Sequence, residues 1–218
     1  MREDFSPSKI TKCFSTLLLL VLAGCAGQVK YTPPATPTNF VNSKEVNKPR
    51  DDVWTTLIPA LGRQFFVINN MDKSSGLINV SYSGDPEKYV DCGFITSDVQ
   101  NATGKRTYAF PGSSANQNYQ MFTPQMILVS INRRMDLDGR VNLILEAVGP
   151  TKTVATVNTR YVVKRDQEMR ASDGRGGRQS HTISFNGGSS AAFPSNGDQA
   201  AECRSTGALE REILELVR

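Results

Sequence analysis

The chain has one histidine and one tryptophan in 218 residues, and no apolar run reaches the roughly 20 residues a bilayer-spanning helix needs. A single histidine, His181, excludes the His-Glu-x-x-His zinc motif. No Cys-x-x-Cys pair is present to build a thiolate metal site. The nucleophile elbow Gly-x-Ser-x-Gly is missing too, because Gly187-Gly188-Ser189-Ser190-Ala191 lacks the final glycine. Gly174-Arg175-Gly176-Gly177 lacks the strand-to-helix setting of a dinucleotide loop. The adjacent carboxylates Asp51 and Asp52 do not converge on one substrate from a helix. These absences argue against an enzyme and against any metal or organic cofactor. His181 reads as a structural residue on a strand. The formal charge of +4 is too mild for nucleic acid, whose binders concentrate a basic face.

What is present begins with a leader. Lys9 and Lys12 precede the run Leu17-Leu18-Leu19-Leu20-Val21-Leu22, a basic segment followed by a short apolar one, as in a secretory signal. Leu22-Ala23-Gly24-Cys25 closes that run and resembles the bacterial lipobox. The resemblance implies cleavage before Cys25, diacylglycerol on its sulfur and acylation of its new amino group. Two or more acyl chains anchor stably where one is marginal. An ordinary signal peptide with a chance cysteine is the alternative. Ala26, rather than Asp, follows the cysteine. In the sorting pattern of enteric-type bacteria this implies the outer membrane, with the domain facing the periplasm. Residues 1–24 are then discarded; 218 less 24 leaves 194, enough for one domain. Residues 25–38 hold the lipidated Cys25 and a Pro-rich tether with Pro33, Pro34 and Pro37, whose extended reach is about 40 Å at ~3.1 Å per residue. The alternative is a segment that packs on its own domain.

Residues 39–218 read as a single domain. A strand is expected over 39–46. Pro49 suits a first helical turn, and Val53, Trp54, Leu57, Ile58 and Leu61 form one apolar stripe over 50–61. Pro59 interrupts that helix and predicts a bend or tightening near Ile58. Strands follow at 65–68 and 77–82, with Ile78, Val80 and Tyr82 alternating on one face. The pattern Val53-Trp54-x-x-Leu57-x-Pro59-Ala60-Leu61, then Phe66-Val67, Ser75-Gly76 and Val80-x-Tyr82, resembles the helix-grip unit of the BamC (NlpB) family. That family supplies the lipoprotein C component of the outer-membrane β-barrel assembly machinery. The resemblance covers about 35 residues. It implies a non-enzymatic accessory subunit with that machinery as partner. The family usually has two such domains behind a long tail; this chain has room for one.

Residues 83–125 lack periodicity and read as a long loop with a hidden strand at 106–110. Tyr89, Phe94, Tyr108, Phe110, Tyr119 and Phe122 either anchor a partner there or pin the loop to its own domain. From Met126 the alternation is clear: Ile127, Val129, Ile131, Met135 and Leu137 share a face that Arg133 interrupts. Asp138-Gly139 predicts a hairpin turn before Val141, Leu143, Leu145 and Ala147. Ala155, Val157, Thr159, Tyr161 and Val163 form the next strand, and residues 179–185 another. Residues 171–178, with Arg165 and Arg170, read as a basic hairpin tip. Ser205 or Thr206 caps a last helix with Leu209, Ile213, Leu216 and Val217 on its apolar side.

With Cys25 acylated, Cys92 and Cys203 remain in an oxidising compartment and are expected to pair; two free thiols are the alternative. The predicted fold is α+β: a helix-grip-like antiparallel sheet packed against an N-terminal and a C-terminal helix. The expected function is that of a membrane-anchored accessory or docking lipoprotein of an envelope complex with a protein partner. A carrier of a lipid or other small hydrophobic ligand, held between sheet and helix, is the alternative.

Overall fold

In this computed structural model, residues 26–35, 39–64, 66–195 and 201–218 are described. The leader and Cys25 lie outside the described residues. In chain order the elements are β1 (Ala26–Thr32), β2 (Ser43–Val46), α1 (Arg50–Gly62), β3 (Val67–Asp72) and β4 (Leu77–Gly84). Next come β5 (Val90–Asp91), β6 (Phe94–Asn101), β7 (Gly104–Pro111) and β8 (Asn116–Phe122). The long strands β9 (Leu128–Ala147) and β10 (Thr153–Ala171) follow, then β11 (Gly176–Asn186), β12 (Ser190–Ala192), β13 (Glu202–Ser205) and α2 (Ala208–Leu216).

β9 and β10, of 20 and 19 residues, form one antiparallel hairpin that is the spine of a seven-stranded sheet. Each strand uses its outer edge twice. β9 pairs first with β8 and then with β4, which carries β3; β10 pairs first with β2 and then with β11. The odd-numbered residues of both long strands point to one inner face. Met135, Leu137, Val141, Leu143, Leu145, Ala155, Val157, Tyr161 and Val163 are buried there. Near the hairpin turn that face is covered by Val53, Leu57 and Leu61 of α1 and by Leu209, Ile213 and Leu214 of α2. Lys44 donates to the Leu214 and Val217 carbonyls at 3.1 and 2.7 Å, satisfying acceptors at the negative end of α2. The N-cap of α2 is Gly207, in a left-handed conformation and without a side-chain cap, rather than Ser205 or Thr206; the Thr206 hydroxyl, just before the helix, accepts the Ala208 N–H at 3.2 Å.

Four further expectations are corrected. The α+β helix-grip fold is not adopted: strands take 58% of the described residues and helices only 12%. The two helices, of 13 and 9 residues, are short covers on half of one face and do not grip a sheet. The cause is the period-two pattern sustained over β9 and β10 and the strand content of residues 83–125. That stretch is not a loop, since it holds β5 to β8 and buries Tyr89, Phe110 and Tyr119. The start of the tether is a strand. Ala26–Thr32 contains no proline and pairs with β6, and the prolines begin at Pro33. Lastly, Asp138-Gly139 does not turn. Gly139 lies within β9 opposite both Tyr82 and Tyr161, and a Cβ there would stand 3.1 Å from Leu209 Cδ2. The glycine admits α2 to the sheet.

β1, β6 and β7 form a second, three-stranded sheet. It meets β8 through the Ser97 hydroxyl, which donates to the Gln120 carbonyl at 2.6 Å. Phe110, Tyr119 and Ile131 close a small core at this junction. A third sheet, β12–β13–β5, holds Cys203 on its central strand, bonded to Cys92 just after β5. Both cysteines are fully buried. Beside them the Tyr31 hydroxyl donates to the Glu202 carbonyl and accepts the Glu202 N–H, at 3.1 and 2.8 Å, tying β1 to β13.

Candidate binding trough

Even-numbered positions of the spine form the outer face, and most are polar, with Leu128, Ile144, Val154 and Val162 the exceptions. Register aligns them into rows. Asn70 of β3, Asn79 of β4, Asn142 of β9 and Asn158 of β10 lie opposite one another in sequence across the sheet. Asn79 Nδ2 donates to Asn142 Oδ1, and Asn42 extends the row by donating to Asn158 Oδ1 at 3.4 Å. The next row is Ser81, Arg140, Arg160 and Asn186. Here two guanidinium groups occupy directly opposed positions, an arrangement unfavourable without an anion nearby. Arg140 pairs with Asp138 at 3.0 Å, whereas Arg160 Nη2 donates to the neutral Ser184 hydroxyl at 3.1 Å.

Beyond these rows the charges alternate and neutralise one another along the strands. Arg134 pairs with Asp136, Lys164 with Asp166, and both Arg170 and Arg178 with Glu168. The basic tip is therefore balanced: Arg175 pairs with Asp173. Arg165 is not part of that tip. It is buried on the inner face, 4.4 Å above the Phe193 ring, and donates to the Pro194 carbonyl at 3.3 Å. Arg133, the interruption in the apolar pattern, is likewise buried. It donates to the Gly112 carbonyl at 2.8 Å and lies 5.2 Å from the Phe110 ring.

Three hollows follow one another along the outer face. The first, about 450 Å³, lies between Arg106 and Tyr108 of β7 and the sheet residues Gln120, Ser130, Asn132 and Arg170. The second, about 590 Å³, shares Asn132 and Glu168 with it and extends over Arg134, Asp166 and Ser180. The third, about 510 Å³, is floored by Arg140, Asn142, Asn158, Arg160 and Asn186 and edged by Phe40. From Ser130 to Asn142 the three hollows, which together make an interrupted trough, span about 40 Å along β9 at ~3.3 Å per residue. Phe40 is held by glycines: side chains added at Gly187 and Gly188 would meet its ring at 2.6 and 3.1 Å.

No family model, curated protein or solved structure matches the chain.

The residues singled out from the sequence do not meet in one place. Cys25 is outside the described residues, Cys92 and Cys203 join each other in the core, and half-buried His181 sits on β11 opposite Arg165. The asparagine rows went unread because each strand shows only an unremarkable polar residue between apolar ones. The signal was the recurrence of Asn at outward positions 70, 79, 142 and 158, which only the register brings together. Inside the sheet, the Tyr161 hydroxyl donates to Glu210 Oε2 at 2.7 Å, and both residues are fully buried. Burial first, and then the adjacent carboxylate, hold the Tyr161 phenol well above its ordinary pKa. The space between the helices and the sheet is filled by Val53, Leu57, Leu143, Val157, Leu209 and Ile213, each fully buried.

Proposed function

We propose that the chain is a non-enzymatic docking lipoprotein, anchored through Cys25 to the outer membrane, that holds an extended hydroxyl-rich polymer in the outer trough. The observation that carries this reading is the aligned Asn70–Asn79–Asn142–Asn158 row beside the opposed Arg140 and Arg160. A side-chain amide both donates and accepts, which matches sugar hydroxyls. The two guanidinium groups suit a carboxylate or phosphate on the same polymer. A protein partner needs aromatic or aliphatic anchors at the centre of its interface. Among the described residues the trough's aromatic lining lies at its ends, Tyr108 and the buried Tyr119 at one and Phe40 at the other. The filled helix–sheet contact favours docking on this face over carriage of a hydrophobe inside the fold.

The test is calorimetric titration of the full chain with carboxylated and neutral oligosaccharides long enough to span the trough. The carboxylated series is expected to bind, more weakly as salt rises. Asn142→Leu removes an amide with two hydrogen bonds' worth of contact, about 1–2 kcal/mol or roughly ten-fold in affinity. Absence of binding to either series, or affinity unchanged in both Asn142→Leu and Arg160→Ala, refutes the reading.

A further inference from the structure

We infer that the end of the three-stranded sheet at Ala26 is a membrane-contact surface, seated on anionic lipid headgroups through the β6–β7 turn and Lys105 and Arg106. The inference rests on acylation of Cys25. β1 starts at the very next residue, and neighbouring Cα atoms are about 3.8 Å apart, so no spacer separates the lipid from the fold. Ala26 lies opposite Gln100, and Gln100 opposite Lys105, in one row across β1, β6 and β7. At ~4.8 Å between strands, Lys105 sits about 10 Å from Ala26, level with it.

The turn just beyond is compact. Both the backbone N–H and the hydroxyl of Thr103 donate to Asn101 Oδ1, at 2.9 and 2.6 Å. Ala102, Thr103, Lys105 and Arg106 are exposed, and among the described residues neither cation has an ion-pair partner. An anchored chain with its first strand locked to β6 cannot swing this turn away from the surface. Basic side chains at that height are attracted by anionic lipids. Arg106 also lines the first hollow, so one end of the trough opens beside the bilayer and the asparagine row lies at the far end, about 40 Å along β9.

The test uses the full acylated chain in vesicles of phosphatidylcholine and phosphatidylglycerol with a headgroup-proximal nitroxide lipid, in a Trp54→Phe background. Thr103→Trp is expected to lose most of its emission to the nitroxide, and Asn158→Trp to keep its own. Ala102→Trp repeats the measurement without disturbing the Thr103 bonds. Unquenched emission at both turn positions in a vesicle-bound chain overturns the seating while leaving the anchor intact. Equal quenching at Asn158→Trp overturns it as well. A chain that shows no acyl mass and stays in solution overturns the anchor and this inference with it.

Discussion

Removing the Cys92–Cys203 bridge is expected to cost more stability than any single packing change. The two residues are separated by 111 positions, and closing a loop of that span stabilises by about 5 kcal/mol in the chain-entropy model. The bridge joins the segment between β5 and β6 to β13, which leads into α2. Cys92→Ala with Cys203→Ala is the appropriate variant, because both sites are fully buried and serine would add hydroxyls to the core. A domain has about 5–15 kcal/mol of stability in total, so a third or more of it should go. At 2–4 °C per kcal/mol for a chain of this size, Tm should fall by about 10–20 °C. The urea slope should rise, since an unlinked unfolded chain exposes more surface. Thermal melts and urea titrations of the oxidised wild type, the reduced wild type and the double variant separate linkage from local packing: the last two should agree. A Tm loss below about 3 °C in the double variant, under roughly 1.5 kcal/mol by the same conversion, refutes the reasoning.

Gly139→Val should destabilise by about 1–3 kcal/mol in urea titration, because its branches enter the space of Leu209 Cδ2; Gly139→Ala should cost less, since that methyl can yield. Tyr161 has a raised folded pKa, so its contribution is complete below the unfolded phenol's value and is lost as pH rises past it. Stability should therefore decline above pH ~10, and Tyr161→Phe should remove about 1.4 kcal/mol per pH unit from that slope; an unchanged alkaline slope counts against the buried Tyr161–Glu210 contact. Cys25→Ser should move the chain from the membrane to the soluble fraction on carbonate-washed fractionation, and unchanged membrane association refutes acylation as the anchor.

The parts of the fold legible in sequence are those where one periodicity acts alone. The stripe Val53–Leu57–Leu61 is a fully buried helical face, and Pro59 falls within α1 without ending it. The 106–110 strand is found inside β7. In β9 the inward parity passes unbroken from Met135 and Leu137 through Gly139 to Val141. That continuity argues against a turn and outweighs the Asp-Gly pair, whose glycine answers a distant contact with α2. The helix-grip expectation failed because a short helix followed by two strands is local information. What covers the sheet depends on residues 83–125, whose polar strands carry weak alternation. Arg133 and Arg165 look like surface residues because arginine usually is one. Their burial depends on carbonyls and rings supplied by Gly112, Phe110, Pro194 and Phe193, all far away in the sequence or beyond the strand. The trough is legible only once register is known.

The β9–β10 hairpin also sets an order of assembly. Its turn spans residues 148–152, so its nineteen pairs can zip from a local closure, the kind of contact that forms fastest. β4 and β8 pair with β9, and β2 and β11 with β10, while β3 joins through β4 and the second sheet through β8. In synthesis from the N-terminus, β2, β4 and β8 are complete before the strands that pair with them, the second of which ends at Ala171. β13, Cys203 and α2 arrive last, so oxidation to the native pair seals a sheet already built.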